Sequence, residues 1–180
     1  MRYLIKTCFM LATFFLFQTP ATAMDNRNLK ISATCRNNVD CIYTGDNIKI
    51  DITIKNIGPD VVGFPLEYII RRGPKIKLIN ETNNESRNQR INLAPYDLLK
   101  KFKMIYPGES VIFDATIPSS EILIFQQNPV AITAEVSVSV EIFVGEESQK
   151  YQYNDCIGLH IGGRSSSTNE NIPATANQRI

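Results

Sequence analysis

Strict alternation of apolar and polar residues marks three stretches of this chain as half-buried β-strands. Leu29, Ile31, Ala33 and Cys35 alternate with Lys30, Ser32, Thr34 and Arg36, and Ile48, Ile50, Ile52 and Ile54 alternate with Lys49, Asp51, Thr53 and Lys55. From Ile132 to Ile142, six apolar residues face one way and Thr133, Glu135, Ser137, Ser139 and Glu141 the other. Each stretch offers one face to a core and one to water. Further strands are predicted over Val61–Arg71, Lys75–Asn80, Val111–Ile117 and Lys150–Ile161, seven in all. Turn chemistry separates them: Gly45-Asp46-Asn47, Asn56-Ile57-Gly58-Pro59, Arg72-Gly73-Pro74, Tyr106-Pro107-Gly108-Glu109 and Gly145-Glu146-Glu147-Ser148. Pro107 and Gly108 suit the central pair of a type II turn, whose second position needs positive φ. Helices find little support beyond one turn over Pro95–Lys101, with Leu98 and Leu99 against the strands. The polar run Asn80–Arg90 reads as a long exposed loop. Seven short strands in roughly 130 residues predict an all-β fold, an immunoglobulin-like antiparallel β-sandwich.

The amino terminus follows another pattern. Arg2 and Lys6 precede an apolar run from Cys8 to Phe17, and Ala21-Thr22-Ala23 supplies the small residues of a cleavage site. A spanning helix needs about 20 apolar residues, whereas Lys6 and Gln18 bracket roughly eleven. Residues 1–23 therefore read as a signal peptide, and a charge at Lys6 argues against lipidation of Cys8. The expectation is an exported protein, periplasmic or extracellular, starting at Met24, with no membrane span after cleavage. Residues 24–162 form the predicted domain, and 163–180, rich in Ser and Asn, have the composition of a disordered tail.

Export makes the cysteines a disulfide question. Three remain after cleavage: Cys35, Cys41 and Cys156. Cys35 and Cys41 flank Arg36-Asn37-Asn38-Val39-Asp40 and are the favoured pair by proximity. The loop-entropy estimate gives such a ring about 2 kcal/mol and a bridge from either cysteine to Cys156 nearer 5 kcal/mol, so energy alone favours the longer loop. Under the favoured pairing Cys156 is free or available to another chain. A zinc site wants four clustered Cys or His ligands, and only the distant His160 could join these three.

Removing the leader takes the formal charge from +1 to −1, because Arg2 and Lys6 go with it. Locally the balance is uneven. From 71 to 103, nine cations (Arg71, Arg72, Lys75, Lys77, Arg87, Arg90, Lys100, Lys101 and Lys103) face three carboxylates, whereas from 104 to 162 eight carboxylates face Lys150 alone. The basic segment is a candidate partner-binding face. The plainer reading is two solvated surfaces that attract each other within the fold. Nucleic acid is not expected, because aromatic residues do not interleave with the cations as a base-stacking surface requires.

Chemistry-bearing motifs are scarce. The chain has one histidine and no HExxH, GxSxG or phosphate-cradling glycine loop. Cys156 and His160 share a strand face, but four residues along a strand is about 13 Å, too far for a nucleophile and its base. Glu135 and Glu141 are about 20 Å apart by the same spacing. Asn80-Glu81-Thr82 and Asn84-Glu85-Ser86 are glycosylation sequons that chance explains in an Asn-rich chain. No catalytic residue, metal site or cofactor is expected.

Two runs carry a family resemblance: Ile48-Lys-Ile-Asp-Ile-Thr-Ile-Lys-Asn56-Ile-Gly58, and Phe102-Lys-Met-Ile-Tyr-Pro107-Gly108-Glu109-Ser110-Val111-Ile-Phe-Asp114. They resemble the immunoglobulin-like domain preceding the catalytic domain of deuterolysin-type zinc endopeptidases, and are similar to stand-alone domains of the bacterial intracellular proteinase inhibitor type. The resemblance covers Leu29 to Val144. It implies a non-catalytic module that binds or restrains a protein, a peptidase among the candidates. Gly58, Pro107 and Gly108 match as turn-shaping residues, and no functional residue carries over. No zinc-binding domain follows the matched region in this sequence, and the inhibitor family is intracellular whereas this chain carries an export leader. The alternative expectation is a surface or envelope assembly subunit, self-associating through a sheet edge or Cys156.

Overall fold

The computed structural model of the protein describes residues 28–36, 40–145 and 149–163. Its strands are β1 (Leu29–Cys35), β2 (Ile42–Tyr43), β3 (Ile48–Asn56), β4 (Val62–Phe64), β5 (Lys75–Asn80), β6 (Ser86–Asn88), β7 (Lys103–Ile105), β8 (Ser110–Ile117), β9 (Ala131–Val144) and β10 (Gln149–Gly163). Helix α1 (Leu66–Arg72) lies between β4 and β5, a 3-10 helix (Tyr96–Lys100) precedes β7, and α2 (Ser119–Leu123) follows β8.

Two sheets pack into an immunoglobulin-like sandwich. The small one has the antiparallel order β1-β3-β8. In the large one, β10 pairs along the whole of β9, and β2 adds to the outer edge of β10. On its other side β9 is shared: β5 pairs with its first half and β4 with its end, while β6 extends β5 and β7 extends β4. The alternating strands drive this layering, because each must bury one face. Ile50, Ile52 and Ile54 of β3 meet Ile132, Ala134, Val136 and Val138 of β9 in the core, all 2% exposed or less. A fully buried aliphatic side chain stabilises by about 1.5–3 kcal/mol.

Three polar devices complete the frame. The Cys35–Cys41 disulfide, with Cα atoms 5.4 Å apart, closes the crossing where the chain leaves the small sheet for the large one. Asp155, on the inward side of β10, accepts the Ile31 backbone N–H (3.2 Å) and the Tyr153 hydroxyl (3.3 Å), giving the free edge of β1 a partner from the opposite sheet. Asn56 is fully buried. Its Nδ2 donates to the carbonyls of Asp60 (2.7 Å) and Ile105 (2.8 Å), and its Oδ1 accepts the Gly58 N–H (3.0 Å). Its backbone bonds Glu109 and Gly108, so the Asn-x-Gly and Pro-Gly-Glu turns form one knot. Gly58 is required there: a Cβ would stand 3.0 Å from the Asn28 Cα and closer still to its side chain. Gly108 has φ +81, as the type II reading requires.

Several expectations need correction. The Val61–Arg71 strand ends at Phe64 and becomes α1, because Pro65 opens a helix, Glu67 sits in its first turn, Arg71 and Arg72 in its last, and Gly73 at φ +79 stops it before Pro74. The described residues form ten strands rather than seven, the additions being β2, β6 and β7, and β2 pairs with β10 in parallel. The Asn80–Arg90 segment is exposed from 81 to 88 as expected, yet Ser86–Asn88 pairs with β5 through backbone bonds that need no apolar pattern. Asn80 itself is 3% exposed. Its Oδ1 accepts from the N–H groups of Thr82 and Asn83 and from Gln127, so that sequon is built into the fold, whereas Asn84 is exposed. The 3-10 helix falls within the predicted turn, with Leu98 and Leu99 half-buried. Gly163 belongs to β10 rather than to a tail. The leader, residues 164–180, Asn37-Asn38 and Glu146–Ser148 lie outside the described residues. Among the described residues no helix is long and apolar enough to cross a membrane.

Candidate functional site

The shared edge of β9 sets up a concavity. β5 pairs with β9 as far as Ser137 and β4 only at Phe143 and Val144, so residues 138–142 have no strand on that side. The chain leaves the sheet there to form α1, and the 3-10 helix returns beside it. Between these helices and the outer face of the sheet lies a cleft of about 620 Å³, a volume in the range of small-ligand and peptide sites.

The cleft is lined by rings and cations. β9 and β10 alternate, so Glu141, Phe143, Lys150 and Gln152 project from the outer face, with Phe143 opposite Lys150 and Glu141 opposite Gln152. Phe102 meets Phe143 edge to face, with ring centroids 4.4 Å apart. α1 contributes Tyr68 and Arg72, whose guanidinium stands 5.8 Å from the Tyr68 ring centre. Lys150 lies 5.5 Å from the Phe143 ring centre and 2.9 Å from the Glu141 carboxylate. Cations held over ring faces gain about 0.5–1 kcal/mol at exposed sites. Tyr96, 74% exposed, and Lys100 form the rim from the 3-10 helix. A smaller hollow of about 80 Å³ behind α1 shares Arg72 and Ser139 with the cleft and adds Lys75.

The predicted basic segment is thus divided. Arg72 and Lys100 enter the cleft, Lys75 lies behind it, and Arg71, Lys101 and Lys103 are exposed on the same elements or beside them. Lys77 pairs with Glu135 (3.8 Å) and Arg87 with Glu85 (3.5 Å) on the β5–β6 hairpin, and Arg90 follows that hairpin. Among the described residues, Lys77–Glu135 is the only pair that joins a lysine or arginine of the basic segment to a carboxylate of the acidic one. Mutual neutralisation therefore does not absorb the asymmetry.

Sequence reading missed the rings. Tyr96 and Phe102 lie within the basic segment, and folding adds Tyr68 and Phe143 from either side of it, so aromatic and basic groups do share a surface. The available signal was Pro65 and Gly73-Pro74 bracketing seven residues with an acid early and arginines late.

Elsewhere the described residues offer little reactive chemistry. Cys35 and Cys41 are joined, and Cys156 is free and exposed on the outer face of β10. Glu81 accepts the Thr133 hydroxyl (2.6 Å) and lies 2.7 Å from His160 Nδ1. These partners, Thr133 first, hold Glu81 below the ordinary carboxylate value. The carboxylate stands between hydroxyl and imidazole, so this is not the nucleophile–base contact of acyl-transfer sites. Burial pushes the Tyr153 phenol upward, keeping it a neutral donor to Asp155. Among the described residues no group of three His, Cys, Asp or Glu is placed to hold a metal ion.

No family model and no curated protein matches the chain. Among solved structures, the Northeast Structural Genomics Consortium target SoR45 is similar over 86% of this chain and 98% of its own, at 7% identity and a TM-score of 0.39. A β-glucosidase from Listeria innocua in complex with isofagomine is similar over 76% of this chain and 16% of the enzyme, at 13% identity and a TM-score of 0.34. At such identities and scores neither protein lends this chain an activity.

Proposed function

We propose that this protein is an exported, non-catalytic module that binds another protein through the cleft between α1, the 3-10 helix and the outer face of the large sheet. The observation that carries the reading is the cluster of Tyr68, Tyr96, Phe102 and Phe143 at the one place where β9 lacks a strand neighbour, ringed by Arg72, Lys100 and Lys150. Aromatic and arginine anchors dominate the energetics of protein interfaces. The family resemblance makes a peptidase one class of partner, with binding as restraint.

The test is capture from the exported fraction by wild-type protein and by Tyr96→Ala/Phe143→Ala. The wild type is expected to recover a stoichiometric partner under mild salt, and the variant, with unchanged circular dichroism, to lose it. A partner retained by the variant, or none recovered by the wild type, overturns the reading. A second reading, an assembly subunit, is favoured by the exposed Cys156 thiol. Non-reducing electrophoresis separates the two, since a covalent assembly gives a dimer band that Cys156→Ser removes.

A further inference from the structure

We infer that the cleft takes an extended acidic segment of its protein partner, one in which Asp or Glu residues flank an aromatic or aliphatic side chain; this rests on the binding-module reading above. Three features of the wall point to that chemistry. First, the cations are uncompensated. Of those lining the cleft, Lys150 has Glu141, but Arg72 and Lys100 form no ion pair among the described residues, and Arg71, Lys101 and Lys103 beside them form none either. Carboxylates arriving here meet positive charge with one opposing carboxylate in the lining. Second, the rings leave room for an apolar anchor. Phe102 and Phe143 are only half-buried, Tyr96 is 74% exposed, and these rings line the gap opened by α1.

Third, the floor includes backbone. Ser139 and Glu141 line the cleft, and antiparallel alternation aims their main-chain groups away from β10, on the side where this stretch of β9 has no strand. Main-chain donors and acceptors suit an extended peptide, which can align its own beside them. The same floor suits a nucleic-acid strand poorly. Phe102 and Phe143 meet edge to face rather than offering parallel platforms, Glu141 stands in the lining, and the acidic stretch from 104 to 162 repels a polyanion that leaves the cleft.

The experiment pans a displayed random peptide library against the protein, then measures the enriched peptide and its Asn/Gln twin by fluorescence anisotropy. Enriched sequences are expected to combine Asp or Glu with an aromatic or large aliphatic residue. The amide twin should bind about tenfold more weakly, and Arg72→Glu/Lys100→Glu should lose binding, whereas Arg87→Glu, on β6 outside the cleft, should keep it. Absence of enrichment, enrichment of neutral or basic sequences, equal binding of the twin, or tighter binding of a labelled single-stranded oligonucleotide would overturn the inference. If the exported fraction yields a partner that Tyr96→Ala/Phe143→Ala loses but Arg72→Glu/Lys100→Glu keeps, the acidic-segment inference fails and the module reading stands. If neither variant affects capture, both fail.

Discussion

At the scale of single residues, the polar groups inside this sandwich are the ones whose loss costs most. Asn56 uses both ends of its amide, so Asn56→Ala strips partners from two carbonyls and one N–H inside the knot of turns. Each buried group left unsatisfied costs about 1–3 kcal/mol, and the whole substitution should cost about 3 kcal/mol, read as a lower urea midpoint at unchanged slope. An unchanged midpoint would mean that water replaces the amide. Glu81 gives a pH signature of known sign. Its folded-state pKa lies below its unfolded value, so its contribution is present above the unfolded value and disappears as pH falls through the folded one. Because the site is exposed, the effect should stay below about 1 kcal/mol. Glu81→Gln is expected to flatten that part of the stability–pH curve, and an identical curve for the variant would remove Glu81 from the account. The Asn-x-Gly and Pro-Gly signals were legible as turns, but their union through one asparagine was not, because nothing local in the sequence pairs residue 56 with residue 105.

Among the elements, legibility followed length and the presence of a single wet face. β1, β3 and β9 announce themselves because each alternates over seven residues or more. β2, β6 and β7 have two or three residues, too few to express a period of two. α1 was hidden for a related reason: seven residues hold under two turns, and Ile69-Ile70 after Val61-Val62 mimics a strand. That one misreading concealed the cleft, since the gap in the pairing of β9 exists only if the chain leaves the sheet. The Cys35–Cys41 bridge acts at this scale as well. It fixes the crossing between β1 and β2, and by loop entropy its removal in Cys35→Ser/Cys41→Ser should cost about 2 kcal/mol. Thermal denaturation of oxidised wild type beside the variant measures it, and equal transition temperatures would show that the crossing holds without the bridge.

For the molecule as a whole, the two sheets treat their edges differently. β1 is guarded by Asp155, and the large sheet is extended by β2, β6 and β7. β8 is not guarded in this way. The Lys49 carbonyl accepts from Arg36 on the β1 side, so antiparallel alternation aims the main-chain groups of Ile112, Asp114 and Thr116 away from β3. Among the described residues, that side of β8 receives one hydrogen bond, from Gln89 Nε2 to the Thr116 carbonyl (2.8 Å), and Ile112 beside it is 65% exposed. An open strand edge bearing an apolar side chain is a template for another chain. Concentrated protein should therefore show a rising mean mass in light scattering that Ile112→Lys suppresses, and equal scattering from both proteins would clear the edge. In colloidal terms, β8 sets the solubility ceiling: a molecule of nearly zero net charge has little long-range repulsion to keep such edges apart, so protection falls to a local charge on the strand itself, which a lysine supplies.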